Sequence, residues 1–224
     1  MTLRLEADGL LTDLDGVLAD SVGPVEAAWR WWAHRVGADA ESVVNVAHGV
    51  RAAETIARFR PDLDLDAEVA AVEARELDLV DGTRPVPGAA TLVGRVPRGR
   101  WAVVTSGSRA IATARLRAVG LVPPEVFVTA DDVAVGKPDP AGYLDAAAAL
   151  GLDVARCVVV EDSPAGVAAG RVAGATVVAV TTSHEADDLH AADHVIADPG
   201  ALTVRYPGTA PRPAKPEESG RSAR

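Results

Sequence analysis

Beyond residue 83 the chain alternates between short apolar runs and longer stretches in which apolar residues recur at helical spacing. The runs at 101–105, 126–128, 156–160 and 176–180 predict strands, and the stretches at 109–119, 143–150 and 164–173 predict helices. Gly120 and Gly151 close two of those helices. An earlier run, Leu10-Leu11-Thr12, predicts one more strand. Short strands alternating with helices predict an α/β fold, a parallel sheet with helices on both faces. Ligands of such sheets bind beyond the carboxyl ends of the strands.

The pattern between 24 and 80 differs. Val25, Ala28, Trp29, Trp32 and Val36 repeat at helical spacing behind Pro24, and Gly37 ends that helix. A second helix is predicted over 51–59, before Pro61, and a third over 66–79 with Asp66 as its N-cap. This all-helical block interrupts the strand–helix alternation as an insertion. Within it, Asp62, Asp64 and Asp66 imitate part of a calcium loop, but Ala67 stands where the loop needs glycine, so calcium binding is rejected. Gly166, Gly170 and Gly174 leave one helix face nearly bare, which predicts close packing on the sheet. Past Tyr206 almost nothing is apolar. The expected organisation is a core of residues 1–19 and 84–205, a helical insertion at 20–83 and a disordered tail at 206–224.

Composition narrows the partners. A formal net charge of −10 argues against nucleic acid and anionic membrane, though not against a small anion held in a local pocket. The single cysteine, Cys157, lies in an apolar run and reads as a buried structural thiol in a reducing compartment. No signal peptide or membrane span is apparent, so a cytoplasmic protein is expected, with a monomer favoured.

The chemistry gathers where strands end. Asp13 and Asp15 close the first strand one residue apart, so both project to the same face before Gly16 turns the chain away. Two such charges about 4 Å apart cost roughly 4 kcal/mol at an effective dielectric near 20, so a cation or a proton must accompany them. Thr105-Ser106-Gly107-Ser108 ends the next strand and opens a helix, offering hydroxyls and free backbone N–H groups to an anion. Gly136-Lys137-Pro138-Asp139-Pro140 follows the third strand, and Glu161-Asp162-Ser163 ends the fourth. Each motif alone reads as a cap, a surface lysine or a solvated loop. Together on one sheet edge they supply oxygen ligands for a hard divalent cation such as Mg²⁺, a lysine and an anion-binding turn, the parts a phosphoryl group requires.

These motifs resemble those of the haloacid dehalogenase-like superfamily, and the resemblance extends from Leu10 to about Ala197. It implies a Rossmann-like parallel-sheet core with an inserted helical cap, and Mg²⁺-dependent hydrolysis of phosphate esters through an aspartyl-phosphate. Asp13 would be the nucleophile, Asp15 the general acid and base, and Lys137 the partner of Asp13 and of the phosphoryl oxygens. Asp13, Asp162 and the backbone carbonyl of Asp15 would hold the metal, with Glu161 acting through water. Thr105 and Ser106 both remain candidates for the second-motif hydroxyl, beside Gly107. The tryptophan-rich first cap helix, His48-Gly49-Val50-Arg51 and Thr105-Ser106-Gly107-Ser108 are similar to those of sugar and polyol phosphatases, the group acting on hexitol, glycerol and 2-deoxyglucose phosphates. There His48 and Arg51 would reach the substrate, with Gly49 allowing close approach. Thr12 departs from the phenylalanine usual before the nucleophile. A phosphosugar mutase of the β-phosphoglucomutase kind is the alternative, disfavoured because only Val50 separates Gly49 from Arg51. A catalytically silent phosphometabolite-binding protein is the alternative of another class.

Overall fold

The computed structural model describes residues 2–207. The strands are β1 (Leu3–Glu6), β2 (Gly9–Thr12), β3 (Ala19–Asp20), β4 (Arg84–Pro85), β5 (Trp101–Val104), β6 (Val126–Val128), β7 (Cys157–Glu161), β8 (Thr176–Val180), β9 (His194–Ile196) and β10 (Leu202–Arg205). The helices are α1 (Val22–Val36), α2 (Ala40–Ala47), α3 (Ala52–Phe59), α4 (Leu65–Asp78), α5 (Ala89–Gly94), α6 (Arg109–Ala118), α7 (Ala141–Ala149) and α8 (Pro164–Ala173).

Six strands form one parallel sheet in the order β6-β5-β2-β7-β8-β9. Alternation sends neighbouring residues of each strand to opposite faces. Leu10, Val103, Val158 and Val178 pack on one side with Leu92, Ala112 and Leu116 of α5 and α6. Leu11, Ala102, Val159 and Val177 pack on the other with Tyr143, Ala146 and Val167 of α7 and α8. Both faces are covered, which is why these strands read as continuous apolar runs.

The helical insertion has its own core of Trp29, Trp32, Val43, Val44, Ile56 and Val72. Trp29 and Trp32 meet edge to face with centroids 5.6 Å apart, and the Trp32 indole donates to Glu68 at 2.7 Å. The chain leaves and re-enters the sheet domain side by side, because β3 and β4 pair antiparallel as a two-strand stalk.

Several details differ from the expected elements, among them α5 and β9, which fall where none was predicted. Helix α2, capped by Asp39 accepting from Ser42 N, occupies a stretch with no predicted element. Helix α4 starts earlier, with Asp64 rather than Asp66 as N-cap, its carboxylate accepting from Ala67 N. The pair β1–β10 joins the two ends of the described chain. Tyr206, placed at the start of the expected tail, is instead buried in the core; 208–224 lie outside the described residues.

Candidate active site

Strand β2 delivers Asp13 to the rim of the sheet, where its N–H still bonds Val160 O at 2.9 Å. The chain then turns through Gly16, whose φ is +73°. A Cβ there would lie 1.7 Å from Asp162 Oδ2, so only glycine lets the end of β7 press against this turn. That contact brings Asp162 beside Asp13.

Lys137 arrives from the segment before α7, across a cis peptide to Pro138, and is buried. Its Nζ lies 2.9 Å from Asp13 Oδ1 and 2.6 Å from Glu161 Oε1, and donates to Val104 O at 3.2 Å. Glu161 is fully enclosed and heavily engaged. Its Oε1 also accepts from Tyr143 Oη at 2.5 Å, and its Oε2 accepts from Asp162 N at 3.1 Å and Ser163 Oγ at 3.3 Å. Asp162 accepts from Ser183 Oγ, while His184 Nδ1 lies 3.0 Å from the Asp162 carbonyl.

Asp13, Glu161 and Asp162 each offer an oxygen within 4.8 Å of the others. Burial pushes the Asp13 carboxyl up to about 7 against the pull of Lys137, and the charges of Glu161 and Asp15 add to the rise. Burial raises Asp162 as well, with Asp13 and Glu161 adding to it. Burial also works against the Lys137 ammonium, but Asp13 and Glu161 outweigh it and hold its pKa above the usual lysine value. Asp13 Oδ1 is buried with no hydrogen bond aligned on it, only the lysine charge. Three buried carboxylates around one ammonium, all presenting oxygen, fit a further hard cation. This cluster could hold a metal.

Asp15 stands apart from that cluster. Its Oδ1 accepts from Ser21 Oγ at 2.6 Å and its Oδ2 lies 2.9 Å from Arg115 Nη1. Thr105 is buried, and its Oγ1 accepts from Gly107 N at 3.1 Å; Ser106 Oγ is engaged in a bond of 2.8 Å to Gly49 O of the cap. Gly49, at φ +74°, sits so close to the core that a Cβ would lie 2.3 Å from Ser163 Oγ.

The cap roofs these residues over an open-sided cavity of about 480 Å³. Its floor includes Asp13, Asp15, Thr105, Ser106, Gly107 and Asp162; its roof includes Trp29, His48, Val69, Glu73 and Glu76. His48 meets His184 edge to face at 5.9 Å, and its Nε2 lies 3.7 Å from Glu26. Burial lowers its pKa, and His184 adds to that, so it is neutral near pH 7. Arg51 also lines the cavity, but its guanidinium is occupied. Its Nη1 and Nη2 donate to Val133 O and Ala134 O at 2.9 Å, and its Nε donates to Glu54 at 2.9 Å. Glu54 in turn accepts from Gly136 N, so this clasp seats the cap on the loop leading to Lys137.

A family model for haloacid dehalogenase-like hydrolases matches residues 7–174. The chain belongs to the haloacid dehalogenase-like hydrolases. It is 41% identical over 205 residues to hexitol phosphatase A of Escherichia coli (strain K12), covering 89% of this chain and 95% of that one. It is 36% identical over 200 residues to glycerol-1-phosphate phosphohydrolase 2 of Saccharomyces cerevisiae, covering 84% and 80%. A hydrolase from Pseudomonas syringae superposes with a TM-score of 0.77 at 27% identity, covering 87% of this chain and 95% of that one. No helix among the described residues is long and apolar enough to cross a membrane.

Sequence reasoning missed Arg115, Glu76, Tyr143, Ser183 and His184 as parts of this site. For Arg115 a signal existed: it shares a helix face with Ile111, Ala112 and Leu116, all buried. A charge in an apolar phase is a request for a partner. Ser183 and His184 lie in a loop without a motif, and nothing in the sequence marks them.

Proposed function

We propose that the protein is a Mg²⁺-dependent phosphatase of small, hydroxyl-rich phosphate monoesters, sugar or polyol phosphates. The observation that carries this reading is the contact of Lys137 with both Asp13 and Glu161, beside Asp162, on the floor of a roofed cavity. Asp13 attacks phosphorus, and Lys137 offsets the charge that its carboxylate and the phosphoryl oxygens bring together. Asp15 gives a proton to the departing alcohol oxygen and then takes one from the water that cleaves the aspartyl-phosphate. The Thr105 hydroxyl and the backbone N–H of Ser106 receive phosphoryl oxygens; Ser106 Oγ and Gly107 N–H are less suited, being engaged with Gly49 O and Thr105 Oγ1. Asp13, Asp162 and the Asp15 carbonyl would hold Mg²⁺, which when bound supplies further positive charge to the phosphoryl group. Glu161, spent on Lys137 and Tyr143, serves the lysine rather than the ion.

The likeness to a hexitol phosphatase and to a glycerol-1-phosphate phosphohydrolase supports a polyol or sugar phosphate here. The cavity roof supports it too. Asp66, Glu73 and Glu76 line it, and both cavity arginines, Arg51 and Arg115, are already paired with carboxylates. Hydroxyls suit those acceptors; a second phosphate does not, which disfavours a mutase primed by a bisphosphate.

A phosphate-release screen with Mg²⁺ across hexose, hexitol, pentose and glycerol phosphates tests the reading, with Asp13→Asn as control. Release by the parent protein and none by the control upholds it. Inert parent protein across the panel revives the silent binding protein, and conversion of a hexose 1-phosphate to its 6-phosphate when primed by the bisphosphate restores the mutase.

A further inference from the structure

Arg115 is 4% exposed, and it projects from core helix α6 into the cavity under the cap. The two ends of its guanidinium meet carboxylates from two different parts of the molecule. Nη1 lies 2.9 Å from Asp15 Oδ2, and Nη2 lies 3.3 Å from Glu76 Oε1 on cap helix α4. The first contact is an aligned hydrogen bond; Nη2 has the charge contact but no aligned bond. Burial opposes the charge on Arg115, and Asp15 and Glu76 outweigh it. Glu76 is itself nearly enclosed, and burial raises its pKa against the pull of Arg115. A guanidinium fork fixed at both ends has one orientation; fixed at one end it swings.

Resting on the phosphatase reading above, we propose that Arg115 is the positioning residue for Asp15, and that its contact with Glu76 makes this positioning depend on a seated cap. With α4 in place, the fork is braced between Asp15 and Glu76, and Asp15 is held at one oxygen by Arg115 and at the other by Ser21. When the cap lifts, Glu76 leaves, the brace is lost and Asp15 is free to turn. Proton transfer is thereby confined to the roofed state, in which bulk water is kept from the aspartyl-phosphate. Neither Arg115 nor Glu76 exchanges a proton with substrate in this scheme.

The test uses the full chain with Mg²⁺, sorbitol 6-phosphate as alkyl ester and p-nitrophenyl phosphate, whose leaving group departs without a proton. Arg115→Lys keeps the charge and loses the fork. It is expected to lower kcat on the alkyl ester by about tenfold or more with KM changed less than about threefold. It is also expected to keep the rapid nitrophenolate burst while slowing the steady state that follows, since Asp13 attack is intact and Asp15 is misplaced. Glu76→Gln should lower alkyl-ester kcat by about threefold or more, and the double variant should be no slower than Arg115→Lys, because both act through one link. An Arg115→Lys protein within about twofold of the parent on the alkyl ester overturns the proposal. So does loss of burst and steady state in equal proportion, or additive effects in the double variant. If Arg115→Lys does not fold, Glu76→Gln decides: unchanged kcat on the alkyl ester overturns the dependence on the cap. Failure of the phosphatase reading looks different, since the parent protein itself would then release no phosphate.

Discussion

Glu161 is fully buried with its Oε1 2.6 Å from Lys137 Nζ, closer than Asp13 is to the same ammonium. The carboxylate at the end of β7 is thus the lysine's principal anchor. Glu161→Gln keeps one acceptor oxygen, for Tyr143 and Lys137, but sets an NH2 against Asp162 N and removes the charge that faces the lysine. The expected result is a kcat lowered by about tenfold or more, since the lysine is less firmly aimed, with KM little changed. Tm without divalent metal should fall, because the buried lysine loses its nearest charge and Asp162 N its acceptor. Steady-state kinetics and thermal unfolding on one preparation check both halves.

Thr12 stands in the centre of the sheet, fully buried, where a hydroxyl needs a partner. It accepts from the Trp101 indole N–H at 3.1 Å on the neighbouring strand. Thr12→Val keeps the shape and strands that N–H, so unfolding in urea should show a loss of about 1–2 kcal/mol. Activity per folded molecule should not change, because the side chain lies behind the site. A neutral substitution would mean that the indole finds another acceptor.

The sheet was legible because its strands are buried on both faces and end abruptly in chemistry: Leu10-Leu11-Thr12 stops at Asp13, and Val158-Val159-Val160 stops at Glu161. The pair β1–β10 was not, since Leu3-Arg4-Leu5-Glu6 is short and half-exposed and its partner lies at the far end of the chain. Helix α2 was hidden because Ser42-Val43-Val44-Asn45-Val46 carries the β-branched residues of a strand; packing against α1 overrides that preference. The floor of the site followed from strand ends. The braces did not: Arg115 meets Asp15 across 100 residues, and no local pattern says which buried carboxylate a buried arginine will find.

Arg51 clasps the Val133–Ala134 backbone and Glu54, while Glu54 holds Gly136 N. Its substitution should therefore loosen the seat of the cap rather than redirect substrate choice. For Arg51→Ala, kcat/KM should fall by about tenfold or more on every sugar and polyol phosphate tested, with their rank order kept. Amide exchange in α3 and in the 133–136 loop should quicken together. A reordering of substrates would instead give Arg51 a direct contact with the leaving group, as the resemblance to sugar phosphatases implies.

The acidic floor makes stability depend on pH and metal together. Burial raises Asp13 from 3.8 to about 7 and raises Asp162 as well, so the folded metal-free protein binds protons more tightly than the unfolded chain. Its stability therefore falls as pH climbs through the window from 3.8 to about 7, where the unfolded carboxylate has ionised and the folded one resists. A divalent cation bound by these carboxylates must displace the retained protons below that window's upper end and meets no such competition above it. Saturating Mg²⁺ should accordingly raise Tm more at about pH 8 than at about pH 5.5, and EDTA should abolish the difference. Asp162→Asn should shrink the Mg²⁺-induced rise and raise the metal-free Tm, because one buried charge is gone. Differential scanning calorimetry across that pH range provides the check, and a Mg²⁺ effect that is flat with pH would move the ion away from Asp13 and Asp162.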